Sequence, residues 1–219
     1  MDDLKLYEQV LLLSLHEEKG TAHAAYYGLA IGGAILAELA LLDRIRLEPA
    51  KRESLVTIVD GPRTGDRVLD GCVTRIAASK RRRSPQVWID AFSVIPDLID
   101  TIAQPLADRG ILHRGEGRML WIFRRKIYPT ANPGPESRLV KEIRNAIQRD
   151  GDVEPRLAIL IGIAHSAYVL EYVVERDILK ERKKRLDEIV KMHAMGEATK
   201  KAVEASMAVI MAAVAGASS

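Results

Sequence analysis

Chemistry-bearing motifs are scarce in this sequence. It has one cysteine, Cys72, so no internal disulfide can form; the residue lies on an apolar helical stripe, where a small buried side chain is the expected role. No CxxC or HExxH spacing occurs, and His16, His23, His113, His165 and His193 fall in no paired-ligand pattern, so no metal site and no cofactor are expected. Gly28, Gly32 and Gly33 do not follow a strand as GxGxxG, and there is no GxxxxGK[ST] phosphate loop. His165 and Ser166 are adjacent on a helical stretch, which aims their side chains about 100° apart and denies them a base–nucleophile pairing. An enzyme is not expected.

Long uncharged apolar runs are missing as well. The stretch 157–174 is interrupted by His165 and Glu171, and 202–217 is short and carries Glu204, against the ~18–20 residues a membrane span requires. Met1-Asp2-Asp3 is acidic where a secretory signal is basic. A cytoplasmic protein follows, with any membrane contact peripheral. Aromatic residues make up 5% of the chain, so the core should be mainly aliphatic. A net charge of +3 is too small to imply nucleic acid or membrane by itself. The cations nevertheless cluster at Lys80–Arg83, Arg124–Lys126 and Lys180–Arg185, and the last, interleaved with Glu181, Asp187 and Glu188, reads as solvated helix surface.

The most informative stretch that is present runs from Gly117 to Pro129. One Trp and one Phe of only two each sit here, flanked by cations. Gly115 and Gly117 read as a turn ahead of it, giving a β-hairpin or wing. Met119, Trp121, Phe123 and Ile127 share one face, while Leu120 and Ile122 make the other apolar too. Rings beside basic groups suit an anionic membrane surface; an ordinary core strand is the equal alternative.

The rest reads as helices around a minor β element. Helices are expected over 4–16, 24–42, from an Asp66 cap through Ile76, after Ser84-Pro85 with Trp88, Ile89 and Phe92 on one face, then over 136–149, 155–175, 178–193 and 197–215. Short strands are expected at 45–48 and 55–59. Pro96 and Pro105 punctuate the segment that stops at Gly110. Glu38, inside an apolar helix, requires a donor such as Arg44 or a backbone amide.

In order along the chain, Leu6–Leu13, Glu17–Gly20, Ala37–Leu41 with Arg44, Thr64–Asp66 with Leu69-Asp70, Trp88-Ile89, Leu106–Leu112 and above all Arg156–Glu171 resemble the Golgi phosphoprotein 3 family of helical phosphatidylinositol 4-phosphate effectors. The long N-terminal extensions of eukaryotic members are missing, so the chain reads as a prokaryotic or minimal member. The resemblance implies one domain over 1–219, mainly α, built around a buried hydrophobic helix with a projecting β-hairpin at about 115–126 and a few short strands. It further implies anionic phospholipid binding beside that hairpin, homo-oligomerisation, an adaptor or scaffold role toward a protein cargo or client, and the cytosolic face of the Golgi in a eukaryote. The arginine positions of the family's lipid pocket fall here on Gly32, Pro96 and Ile99. The local donors for lipid are therefore Arg109, His113, Arg114, Arg118, Arg124, Arg125 and Lys126, and the membrane or oligomer tip is Met119, Leu120, Trp121, Ile122 and Phe123. Arg109 also suits a helix C-terminus.

Two other classes fit part of the pattern. One is a lipid-independent homo-oligomeric interaction module that uses the apolar hairpin as a dimer contact. The other is a winged-helix-like nucleic-acid binder, which Asp97, Asp100 and Asp108 on the recognition-helix side disfavour.

Overall fold

The computed structural model describes residues 4–22, 26–51, 53–119, 123–191 and 212–216. Helix α1 (Leu6–Ser14) and helix α2 (Tyr27–Leu41) pack side by side at the centre. Every residue of α1 is buried, as is every residue of α2 from Ala30 to Ala40. A helix apolar on all sides has no solvent face to offer and must be enclosed. At Gly32 an added Cβ would lie 2.7 Å from the carbonyl oxygen of Ile89, so a neighbouring helix approaches α2 at backbone distance. That neighbour is α4 (Pro85–Ser93), which turns Trp88, Ile89 and Phe92 inward as their spacing predicts.

Between α2 and α4 lie a small antiparallel hairpin and one more helix. Strand β1 (Ile45–Pro49) pairs with β2 (Ser54–Ile58), Ile45 opposite Ile58 and Pro49 opposite Ser54. Helix α3 (Arg67–Ala77) starts at Asp66, whose carboxylate accepts the Leu69 amide in the expected cap. The same carboxylate accepts the Tyr7 hydroxyl at 2.6 Å and pairs with Lys5 at 3.2 Å, so one side chain caps α3 and fastens it to α1. Cys72 is buried on α3 and burial pushes its thiol up to about 12, which keeps it inert.

Helix α5 (Leu98–Asp108) follows Asp97, a non-glycine residue at φ +55°, and Pro105 lies within this helix rather than ending it. The second hairpin, β3 (Gly115–Met119) and β4 (Phe123–Ile127), corrects the expected turn. Gly115 and Gly117 belong to the first strand, which continues to Met119 opposite Phe123, so neither glycine forms the turn. The two-faced greasiness of the segment arises because it is two strands and a connection, not one strand.

The C-terminal helices are α6 (Gly134–Gln148), α7 (Pro155–Ser166), α8 (Leu170–Val173), α9 (Arg176–Glu181) and α10 (Lys183–Lys191), with 212–216 also helical. The helix expected over 155–175 breaks at Tyr168, which takes φ +57° while the Val169 amide closes onto Ala164. The one expected over 178–193 breaks at Arg182. Its Nε donates to the Ile147 carbonyl at 3.0 Å and its guanidinium pairs with Asp150. Arg185 is 6% exposed and donates to the carbonyls of Ala146 and Gly151. The basic run at 180–185 is therefore not simply solvated: two of its arginines fasten α9 and α10 to the end of α6. Most of the helix expected over 197–215, and His193, lie outside the described residues.

Glu38 is 5% exposed and accepts the Leu6 amide at 2.7 Å and Nη2 of Arg156 at 2.7 Å. A backbone amide was foreseen as a donor; the cation is Arg156, not Arg44. One carboxylate thus joins the start of α1, the last turn of α2 and the start of α7.

Candidate functional site

The hairpin springs from a base held by three groups of bonds. The Tyr128 amide donates to the Gly20 carbonyl at 2.9 Å, the Thr130 amide to the Glu17 carbonyl at 2.8 Å, and the His113 amide to the Pro129 carbonyl at 2.7 Å. Gly20 has φ +60°, and a Cβ there would collide with the backbone of Tyr128 and Pro129. Only glycine allows the loop after α1 to touch the strand exit this closely. Below, Asp100 on α5 pairs with Lys126 and accepts the Tyr128 hydroxyl at 2.9 Å. Burial and then Asp100 push that hydroxyl up to about 12.

The seven cationic or imidazole groups expected here divide by what they touch. Arg109 ends α5 and reaches Glu8 on α1 at 3.6 Å. Glu8 is nearly enclosed, and burial raises its carboxyl, with the Lys5 amide and Arg109 pulling the other way. Lys126 is engaged by Asp100. Arg114 is exposed and donates to Oε1 of Gln104 at 3.1 Å, a neutral partner, and His113 is exposed beside it. Arg118 stands directly opposite Arg124, and Gly117 opposite Arg125, in the β3–β4 register. For Arg118, Met119, Phe123, Arg124 and Arg125 the backbone is described and the side chains are not, while Leu120, Trp121 and Ile122 lie outside the described residues altogether. Of the expected apolar tip, only the backbones of Met119 and Phe123, which pair with one another, fall within the described residues.

Sequence reasoning missed the carboxylates. On the sequence Asp100 counts only as a negative charge on the helix that would face phosphates in a nucleic-acid binder, whereas it neutralises one cation of the base and accepts a tyrosine hydroxyl. The Gln104–Asp108 bond at 2.8 Å follows helical spacing and was readable. The pairs Asp100–Lys126 and Glu8–Arg109 join distant segments and left no periodic trace.

Gly32, where the family's pocket places an arginine, is closed by the backbone of Ile89, and no side chain fits there without separating α2 from α4. Pro96 and Ile99 bring no donor either. Among the described residues no group of three or more metal-ligating side chains converges, and no helix is long and apolar enough to cross a membrane.

Comparison with known proteins agrees with the fold. The profile of the Golgi phosphoprotein 3 (GPP34) family matches residues 6–206. The vacuolar protein sorting-associated protein 74 of Eremothecium gossypii is 28% identical over 210 residues, covering 78% of this chain and 61% of that protein's length. The match gives no support to a winged-helix nucleic-acid binder. A buried apolar α2, the ordered motifs from α1 to α7 and a profile match over nearly the whole sequence lead to one statement: the chain belongs to the Golgi phosphoprotein 3 family.

Proposed function

We propose that this protein is a non-enzymatic peripheral membrane adaptor. It docks on anionic phospholipid through the end of the β3–β4 hairpin and presents the rest of the molecule to a protein client, as a homo-oligomer at the cytoplasmic face of a membrane. The observation that carries this reading is the β3–β4 register: Arg118 and Arg124 stand opposite one another beside Arg125, with no carboxylate among the residues of either strand except Glu116. Two like charges directly across a strand pair destabilise it unless an anion comes between them. Phosphate headgroups supply that anion, and Met119, Trp121 and Phe123 supply the apolar contact that enters among the acyl chains.

The magnitudes are modest. Each cation at an anionic surface contributes about 1 kcal/mol, and Arg109 and Lys126 are already committed to Glu8 and Asp100. Ring insertion and the avidity of two or more copies provide the remainder. Because Gly32, Pro96 and Ile99 offer no guanidinium, selectivity should follow headgroup charge more than the position of one phosphate on an inositol ring.

Co-sedimentation tests the proposal. Vesicles containing phosphatidylserine or phosphatidylinositol 4-phosphate should pellet the protein, and phosphatidylcholine vesicles should not. Arg118→Gln with Arg124→Gln and Arg125→Gln should weaken the anionic binding by about 100-fold, three surface cations' worth. Equal binding to neutral vesicles, or none to either, ends the lipid reading. Trp121→Ser with Phe123→Ser distinguishes the module alternative: loss of oligomer with unchanged vesicle affinity would make the hairpin a subunit contact only.

A further inference from the structure

The basic run 79–83, between α3 and α4, has no part in the hairpin and lies over a cavity of its own. The cavity is about 180 Å³ and its floor is apolar: Val56 and Ile58 of β2, Ile76 at the end of α3, and Trp88 of α4. Its rim is polar, with Ser79, Arg81, Arg82 and Thr57. The loop is pinned in place rather than trailing. The Val56 amide donates to the Arg83 carbonyl at 2.9 Å, Ser79 Oγ donates to the Arg81 carbonyl at 2.7 Å, and Arg83 Nε donates to Ser79 Oγ at 3.3 Å. Arg82 pairs with Glu48 and reaches toward Thr57. Among the described residues no carboxylate pairs with Lys80, Arg81 or Arg83.

Two further features at the same place favour an acceptor. Trp88 is 6% exposed, yet its indole N–H, fully buried, finds no hydrogen-bond partner among the described residues. A buried donor left unmatched is costly, and native structures rarely tolerate one without a reason. In addition, the loop runs directly into the N-terminus of α4, which the hydroxyl of Ser84 does not cap. The first amides of a nine-residue helix therefore add positive potential to that of the arginines.

We infer that this cavity is a second ligand site, separate from the hairpin, which takes a small amphiphilic anion: a phosphate monoester or carboxylate at the Arg81–Arg82 rim, with a short apolar group against Val56, Ile76 and Trp88. The volume admits a chain of a few carbons and excludes a whole diacyl lipid. Trp88 lines the cavity, so an occupant changes the surroundings of its indole, whose N–H has no partner among the described residues.

Hexyl phosphate is the probe. The sequence has two tryptophans, so a protein labelled with ¹⁵N-tryptophan gives two indole N–H signals, assigned through Trp88→Phe. Hexyl phosphate should move the Trp88 signal saturably, and inorganic phosphate, lacking the apolar group, should do so at least about tenfold more weakly. Arg81→Gln with Arg82→Gln, both exposed and outside the core, should weaken the titration by about tenfold or more. The hairpin variant with Arg118, Arg124 and Arg125 replaced should titrate as the parent does, so failure of the lipid reading leaves this one standing and the reverse also holds. A Trp88 signal that stays still at millimolar hexyl phosphate, or moves equally in the Arg81→Gln/Arg82→Gln protein, overturns the inference. Sedimentation of that double variant with phosphatidic acid vesicles then names the source of the anion. Weakened pelleting assigns it to a lipid headgroup, and unchanged pelleting assigns it to a free metabolite.

Discussion

Two ion pairs of this molecule use the same chemistry in different surroundings. Glu38–Arg156 sits where α1, α2 and α7 meet, with the carboxylate side chain 6% exposed. Lys126–Asp100 sits at the base of the hairpin, with the ammonium side chain 44% exposed. The first carboxylate also accepts a backbone amide and has no water to turn to; the second accepts a tyrosine hydroxyl and stays within reach of solvent ions. A buried pair is a fastening because removing one member strands the other. An exposed pair contributes little to stability and remains adjustable by salt or by a competing anion. The body of the protein is thus locked at its centre, and the base of the hairpin is held by bonds that a competing ion can replace.

The largest predicted effect breaks the lock. Glu38→Ala should destabilise the protein by about 3 kcal/mol, read as a lowered denaturant midpoint at unchanged slope. Arg156 is 27% exposed at its side chain and can recover some hydration, which keeps the loss near the low end for a broken buried pair. The double variant Glu38→Ala/Arg156→Ala should lose less than the sum of the two single changes, because the second removes the charge that the first left alone. Additive losses would mean that the pair is not the fastening.

This centre was half legible in the sequence. The uninterrupted apolar run of α2 announced an enclosed helix, and a lone glutamate within it announced a need for donors. Which cation would come was not readable, because Arg156 is far along the chain and nothing local distinguishes it from Arg44. The same holds at the hairpin. The strands and their cations were visible as composition, whereas the turn was misplaced because Gly115 and Gly117 imitate one. Asp66 was foreseen as a cap, a local bond over three residues; its ties to Tyr7 and Lys5, made across the fold, were not. Helix breaks at Tyr168 and Arg182 escaped for a related reason. Neither residue is a helix breaker: at Arg182 bonds to Ile147 and Asp150 overrode propensity, and at Tyr168 the helix closes on itself through the Val169–Ala164 bond.

Between the two pairs in environment stands Glu136, at the start of α6. It is 9% exposed, and burial, followed by the nearby Glu17, pushes its carboxyl up to about 7. It lines a cavity of about 330 Å³ with Glu17, Lys141 and Arg144, but Arg144 is turned toward Glu175 at 3.0 Å. An acid whose folded pKa lies above its ordinary value is held protonated by the fold. Its contribution is full below about 4.5 and is lost as pH rises through about 7. Glu136→Gln should therefore leave stability unchanged at pH 4 and raise it at pH 8 by about 1–2 kcal/mol relative to the parent, less than the full shift would give because solvent in the cavity screens the carboxylate. Thermal unfolding at the two pH values measures this. A variant that gains equally at both would place the benefit in packing and not in protonation. Because Glu17 also accepts the Thr130 amide through its backbone, ionising Glu136 works against the loop that anchors the hairpin exit.

The smallest effect on stability is expected at Asp100, where it separates the two halves of the comparison. Asp100→Asn keeps an acceptor for the Tyr128 hydroxyl and removes the charge facing Lys126. An exposed pair of this kind contributes about 0.5–1 kcal/mol, so the loss should be of that size in low salt and should fade as ionic strength shortens the screening length. Binding should move the other way. Freeing Lys126 and deleting a negative charge at the hairpin base adds attraction to an anionic surface of about 1 kcal/mol, roughly fivefold in vesicle affinity. A variant less stable yet tighter on phosphatidylserine vesicles is the signature of a base whose charges are balanced at rest and released on contact. If Asp100→Asn instead weakens both stability and vesicle binding, Lys126 serves to position the hairpin rather than to meet the membrane, and the exposed pair is as much a fastening as the buried one.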